Sequence, residues 1–155
     1  MEKLDQQLLD EFIEKGLSED VGSGDHTSNA CIPYDSRSKA RLLVKDIGVV
    51  AGVEVARKIF EKVDPDCHFE ELMQDGDDVF VGDEVFHVTC NTRALLIGER
   101  LALNIMQRMS GIATLSARFA AEVSDLPVTI LDTRKTTPLL RFLEKQAVAI
   151  GGCQN

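Results

Sequence analysis

The chain has 155 residues, 44% hydrophobic and 28% charged, with a net charge of −9 at neutral pH. That length suits one domain with a real core, and the acidic balance argues against nucleic acid or an anionic membrane as the main partner. No apolar run approaches the ~18 residues of a membrane-spanning helix, and the acidic, amphipathic start lacks a signal peptide's apolar segment, so a cytoplasmic protein is expected.

Leu4, Leu8, Leu9, Phe12 and Ile13 recur at helical spacing, which predicts an amphipathic helix over 3–16 closed by Gly16. Residues 19–28, rich in Gly and Asp, read as a loop. Strands are expected over 39–45 and 48–52, the second feeding a helix over 53–63 that Pro65 ends. The alternation over 77–88 reads as a hairpin turning at Gly82-Asp83. Strands and helices in this order suggest a sheet-plus-helix domain of the α+β kind. The four cysteines, Cys31, Cys67, Cys90 and Cys153, form no Cys-x-x-Cys pair and read as reduced, mostly buried thiols. His26, His68 and His87 show no metal spacing, and the acidic segment 19–25 lacks the regular ligand spacing of a Ca²⁺ loop.

The longest periodic segment, 92–123, reads as a buried helix, with Ser110-Gly111 a possible break left open. One stripe differs: Arg93, Arg100, Asn104, Gln107, Gly111 and Arg118 fall within about 60° of each other on a helical wheel. Such a stripe faces solvent or faces an interface holding anions. Spacing alone favours solvent, because a buried arginine needs an anionic partner.

After Pro127, the apolar run 128–131 reads as a strand, followed by a polar loop and a helix over 139–149 with Pro138 in its first turn. Strand, loop and helix in that order begin a parallel βα unit, whose loops carry the chemistry in α/β barrels. One unit closes no barrel, and the ending Gly151-Gly152-Cys153-Gln154-Asn155 is loop-like, so the chain reads as truncated. Charge is uneven: residues 1–92 hold 9 basic and 21 acidic side chains, residues 93–145 hold 8 and 5. An anion site is therefore expected in the later part. Within it, Thr133-Arg134-Lys135-Thr136-Thr137 sets two cations among three hydroxyls, a grip suited to phosphate or carboxylate. On its own the pattern is common, and a solvated turn fits it too.

The run Leu131-Asp132-Thr133-Arg134-Lys135-Thr136-Thr137-Pro138 resembles the signature of quinolinate phosphoribosyltransferases almost residue for residue. So do Glu99-Arg100-Leu101-Ala102-Leu103-Asn104-Ile105, Ser110-Gly111-Ile112-Ala113-Thr114, and Leu143-Glu144-Lys145-Gln146-Ala147-Val148 followed by Gly151-Gly152. Segments 19–27 and 48–52 agree more weakly, and all the matches are in family order. The resemblance implies an α/β fold: an N-terminal α/β sandwich with its linking helix over 1–111, then the first part of an open α/β barrel over 112–155. It implies a homodimer with shared active sites, or a higher assembly. The implied reaction joins quinolinate to phosphoribosyl pyrophosphate with Mg²⁺, giving nicotinate mononucleotide, pyrophosphate and CO₂ in NAD biosynthesis.

Arg134 matches an arginine that binds a quinolinate carboxylate, and Lys135 a lysine near that carboxylate and the phosphoribosyl donor; these two are the expected catalytic residues. Thr133 and Thr136 belong to the same substrate-binding run. Arg100 matches an arginine that enters the neighbouring subunit's active site, which supplies the stripe with an anionic partner. The Mg²⁺ ligands are expected beyond Asn155, as is a His-Arg pair. Leu139 departs from the family's usual glycine, and Gly152-Cys153 from its smaller residues. Alternatives are a paralogue of the ModD type, a nicotinate phosphoribosyltransferase, or a non-catalytic dimerising fragment. The 155 residues alone are expected to be inactive.

Overall fold

Helix α1 (Gln6–Val21) starts at Asp5, whose Oδ1 accepts from the amides of Gln7 at 3.0 Å and Leu8 at 3.2 Å. The computed structural model describes residues 4–155, so the expected first helical residue at position 3 lies outside the described residues. The helix does not stop at Gly16. A Cβ at that position would sit 3.0 Å from Leu101 Cδ1, so glycine serves close packing here. The stop comes at Gly22, with φ of 54° and its amide donating to the Ser18 carbonyl at 3.1 Å. Nor is 19–28 all loop: α2 (His26–Cys31) follows, capped by Asp25 Oδ1, which accepts from the Ser28 amide at 2.9 Å.

Next come β1 (Arg37–Leu43), β2 (Gly48–Val49), α3 (Val53–Val63), β3 (His68–Glu71), β4 (Asp78–Val79) and β5 (Glu84–Asn91). One antiparallel sheet has the order β1-β5-β3; a second pairs β2 with β4. The expected hairpin over 77–88 is therefore corrected. A turn does occur, with Gly82 at φ of 101°, but β4 and β5 part into different sheets. The turn bonds instead to the chain just after β1: Val44 donates to the Asp83 carbonyl at 2.9 Å, and Gly82 to the Val44 carbonyl at 3.0 Å. Helix α3 follows Gly52, which offers no capping side chain, and Asp75 reaches over to accept from the Val53 amide at 2.8 Å. Burial pushes the Asp75 carboxyl up, while the amides of Val53 and Gly52 pull it down. Phe60 of α3 meets Phe69 and Phe86 of the sheet, the latter two with ring centroids 4.5 Å apart.

Helix α4 (Thr92–Glu122) runs 31 residues without a break at Ser110-Gly111. There Ser110 Oγ accepts from the Ala51 amide at 3.0 Å and Thr114 Oγ1 from the Val49 amide at 2.9 Å, tying the helix to the segment around β2. The expectation of burial all round is corrected. One face is buried (Ala102, Ile105, Met106, Met109, Ala113), whereas Leu96, Leu115 and Phe119 are exposed. The apolar run 128–131 is not a full strand either; it forms one parallel bridge, Leu131 with Gln154. Two bonds make it, Asp132 N to the Gln154 carbonyl at 2.8 Å and Gln154 N to the Ile130 carbonyl at 3.0 Å. A strand needs a partner along its length, and Val128 and Leu131 are exposed.

Helix α5 (Arg141–Ile150) starts two residues later than expected because Leu139 takes a left-handed backbone, φ 69°. Its far end lies on α4: a Cβ at Gly151 would stand 2.3 Å from the Ala113 carbonyl oxygen and 2.6 Å from Ser116 Cβ. All four cysteines are free; Cys90 and Cys153 are buried, Cys67 half-buried, and Cys31, against expectation, exposed. The result is a mixed α/β fold, and the expected division after residue 111 falls inside α4.

Candidate functional site

The segment Thr133–Thr137 leaves the bridge at Leu131 and enters α5 through Pro138-Leu139-Leu140. Its two flanks are tied down by neighbouring residues of α5. On the near side Lys145 Nζ meets Asp132 Oδ2 at 2.7 Å, the Asp132 carboxylate being largely shielded from water. On the far side the nine-tenths buried Glu144 uses both oxygens. Its Oε1 accepts from Arg108 Nε at 2.8 Å, and its Oε2 from the Thr137 amide at 3.1 Å. The Arg108 guanidinium also donates to Thr137 Oγ1. Burial pushes the Glu144 carboxyl up, but the bonds from Arg108 and Thr137 outweigh it and hold the group below the ordinary glutamate value. From the first turn of α5, Arg141 Nε donates to Thr136 Oγ1 at 3.1 Å and its Nη2 to the Arg134 carbonyl at 3.3 Å.

These bonds fix the loop's backbone and leave its cations free. Arg134 and Lys135 are exposed, and neither side chain has an ion-pair or hydrogen-bond partner among the described residues. By contrast Arg100, Arg108 and Lys145 each have a carboxylate. The hydroxyl oxygens of Thr133 and Thr136 are used internally, the first accepting from the Lys135 amide at 3.2 Å and the second from Arg141. Each can still donate its own proton outward. The arrangement offers a planar fork, an ammonium and hydroxyl donors on one short, anchored stretch, which suits a carboxylate or phosphate.

Arg100 lies elsewhere. It stands on the outward stripe of α4 with Asn104, Gln107, Gly111 and Arg118, all exposed. Its Nη1 meets Asp20 Oδ1 at 2.7 Å, and that bond, with the charges of Asp20, Asp25 and Glu99, raises the guanidinium further above its usual range. A groove of about 710 Å³ between α1, α4 and the 138–142 turn is lined by Asp20, Asn104 and Leu139, with Arg134 and Lys135 outside its lining. Within this chain Arg100 pairs with Asp20 and makes no hydrogen bond to residues 133–137 among the described residues, whereas Arg108, about two turns along the same helix, bonds Thr137. Arg93 leaves the stripe for a structural role: Nε donates to the Ile32 carbonyl at 2.9 Å, Nη1 to Asn29 Oδ1 at 3.0 Å, and the guanidinium lies 5.9 Å from the Tyr34 ring centroid.

Sequence reasoning missed Arg108, Asp132, Arg141, Glu144 and Lys145 as parts of the site. Glu144-Lys145 lay in a quoted stretch, but Arg108 and Glu144 are 36 residues apart and no local spacing rule joins them. No group of three or more His, Cys, Asp or Glu side chains among the described residues could hold a metal ion. Asp20 and Asp25 are occupied by Arg100 and the α2 amide, and His87 sits between Glu84 and Glu70 at 2.6 and 3.2 Å.

Residues 25–110 match the family model described as "Quinolinate phosphoribosyl transferase, N-terminal domain", and residues 112–155 its "C-terminal domain" counterpart. The chain is 47% identical over 144 residues to a quinolinate phosphoribosyltransferase [decarboxylating] of Nicotiana tabacum, covering 92% of this chain and 41% of that protein. It is also 47% identical to a chloroplastic nicotinate-nucleotide pyrophosphorylase [carboxylating] of Arabidopsis thaliana, covering 95% of this chain and 42% of that one. Among solved structures, NadC from Streptococcus pyogenes superposes with a TM-score of 0.95 at 37% identity, covering 100% of this chain and 55% of that chain. The chain thus spans about half, or somewhat less, of the length of these relatives. With both family models matching in order, and the anchored Arg134-Lys135 loop falling within the second, the chain belongs to the quinolinate phosphoribosyltransferase family.

Proposed function

We propose that the full-length protein transfers a phosphoribosyl group from phosphoribosyl pyrophosphate to quinolinate, with loss of CO₂, giving nicotinate mononucleotide and pyrophosphate in NAD biosynthesis. One observation carries the reading: a chain of this family holds Arg134 and Lys135 without an ion-pair partner among the described residues, on a loop tied at both flanks by Asp132–Lys145 and Thr137–Glu144. Both substrates are polyanions and the chain carries −9, so local cations must overcome an unfavourable background field.

In the reaction the pyridine nitrogen's lone pair forms a bond to the ribose anomeric carbon as the bond from that carbon to the pyrophosphate oxygen breaks. The nitrogen becomes cationic. The bond from the neighbouring ring carbon to its carboxylate then breaks, CO₂ leaves, the electron pair stays on the ring carbon beside the cationic nitrogen, and a proton replaces it. Arg134 is assigned to a quinolinate carboxylate through its bidentate fork. Lys135 is assigned to the space between that carboxylate and the donor, and the Thr133 and Thr136 hydroxyls to further donation. Their contribution is orientation and charge neutralisation by groups already in place.

Arg100 of the partner subunit is proposed to complete the site in a homodimer, consistent with its exposed position and the absence of a bond to the loop of its own chain among the described residues. Mg²⁺ belongs to the proposal through the family alone; the described residues supply no ligand set, and no step above passes through it. Four free cysteines suit a reducing compartment such as the cytoplasm. Neither nucleic acid nor membrane is proposed as a partner, and no helix among the described residues is long and apolar enough to cross a membrane.

The test is a steady-state assay of the full-length protein with quinolinate and with nicotinate as acceptor, following CO₂ release and nucleotide formation. Turnover of quinolinate is expected, with Arg134→Ala raising its KM. Turnover of nicotinate alone would refute the proposal.

A further inference from the structure

Two side chains outside the loop that holds Arg134 and Lys135 bond to it at Thr137, and we propose that these, Arg108 and Glu144, are positioning residues for the anion grip. This inference rests on the functional reading above. Glu144 is nine-tenths buried, yet each of its oxygens is used, Oε1 by Arg108 and Oε2 by the Thr137 amide two residues beyond Lys135. Arg108 closes the triangle by donating to Thr137 Oγ1. A buried carboxylate is retained at a desolvation cost, and here its partners are one guanidinium and one backbone amide of the loop itself.

The bonds also determine what the loop is referred to. Arg108 stands on α4, whose Ser110 and Thr114 are bonded to the segment around β2. Thr137 is thereby held relative to the β-sheet half of the chain, while Lys145 and Arg141 hold the same loop relative to α5 alone. Among the described residues, Arg108 is the side chain of α4 that hydrogen-bonds the loop directly, and α4 also carries Arg100. Arg108 Nη2 meets both Glu144 Oε1 and Thr137 Oγ1 while Nε adds a second bond to Glu144 Oε1, a planar, pre-oriented fork that a flexible ammonium does not reproduce.

The decisive variants are Arg108→Lys, Thr137→Val and Thr137→Ser in the full-length protein. Arg108→Lys keeps the charge and loses the planar fork with its second bond to Glu144; Thr137→Val loses the hydroxyl and keeps the shape. Each is expected to raise the quinolinate KM by about 10- to 100-fold, the scale of a misplaced binding group, with a much smaller change in kcat. Thr137→Ser is expected to restore the wild-type KM. Amide hydrogen exchange is read alongside, with residues 133–137 expected to exchange faster in Arg108→Lys while α3 stays unchanged.

Wild-type KM in both Arg108→Lys and Thr137→Val, with unchanged exchange over 133–137, overturns the inference. A fall in melting temperature with exchange raised uniformly along the chain overturns it as well, since that marks a purely structural role. A wild-type protein that turns over no quinolinate removes the functional reading instead, and the exchange at 133–137 still decides whether Arg108 holds the loop.

Discussion

Leu139 is the residue whose replacement is worked out most directly from the backbone. It has φ of 69° and is 89% exposed, in the turn between the cationic loop and α5. A residue with a Cβ in the left-handed region costs roughly 1–2 kcal/mol, and this side chain recovers little of that through burial. Leu139→Gly removes the clash, at an unfolded-state entropy cost of about 0.4–1 kcal/mol. The net gain expected is about 0.5–1 kcal/mol, or about 1–4 °C in melting temperature for a domain of this size. Thermal unfolding of the wild type, Leu139→Gly and Leu139→Ala in the full-length protein is the assay. Alanine keeps the Cβ, so it is expected to stay near the wild type. If alanine stabilises as much as glycine, the exposed leucine side chain and not the backbone is responsible, and the reasoning fails.

Gly151→Ala is expected to lower the urea midpoint by an amount equivalent to about 1–3 kcal/mol or more. The added Cβ meets the backbone of α4 at Ala113 and has no flexible group to displace. Glu144 makes stability depend on pH: its folded pKa is depressed, so its contribution is present above the ordinary value of 4.5 and is lost as pH falls through the lower folded value. The urea midpoint of Glu144→Gln should accordingly fall less steeply than the wild type's on acidification below about pH 5; parallel curves would refute this. For the proposed shared site, Arg100→Ala and Arg134→Ala are each expected to lose most activity alone and to regain part of it when mixed. The absence of rescue in demonstrated mixed dimers removes the shared-site idea.

The elements legible in the sequence were those with strong local periodicity, such as α3 with its buried Val55, Ile59 and Phe60, or the full course of α4. Features set by remote partners were not. The alternation over 77–88 shows two extended pieces, but not that Asp83 and Gly82 bond to Val44 and send β4 to β2. Strand β3, with Phe69 its only large apolar residue, carries too weak an alternation to be seen without β5 beside it. Gly16 reads as a stop locally and is in fact a packing position against Leu101. At the site, the cations at 134 and 135 were legible because they are adjacent and flanked by hydroxyls. Arg108 was invisible because its partners come from α5 and the loop before it. The departure at Leu139 was visible as a residue difference, and the left-handed turn explains why glycine suits that place.

The unbroken course of α4 makes its length a constraint on the whole protein. Thirty-one residues make a rod of about 46 Å, and each added or deleted residue would rotate everything beyond it by about 100°. A single-residue insertion between Arg100 and Arg108 would therefore swing the outward arginine away from the side on which Arg108 meets the loop. Natural length variation should accordingly collect before Thr92 or after Glu122, leaving the interval between those two arginines constant.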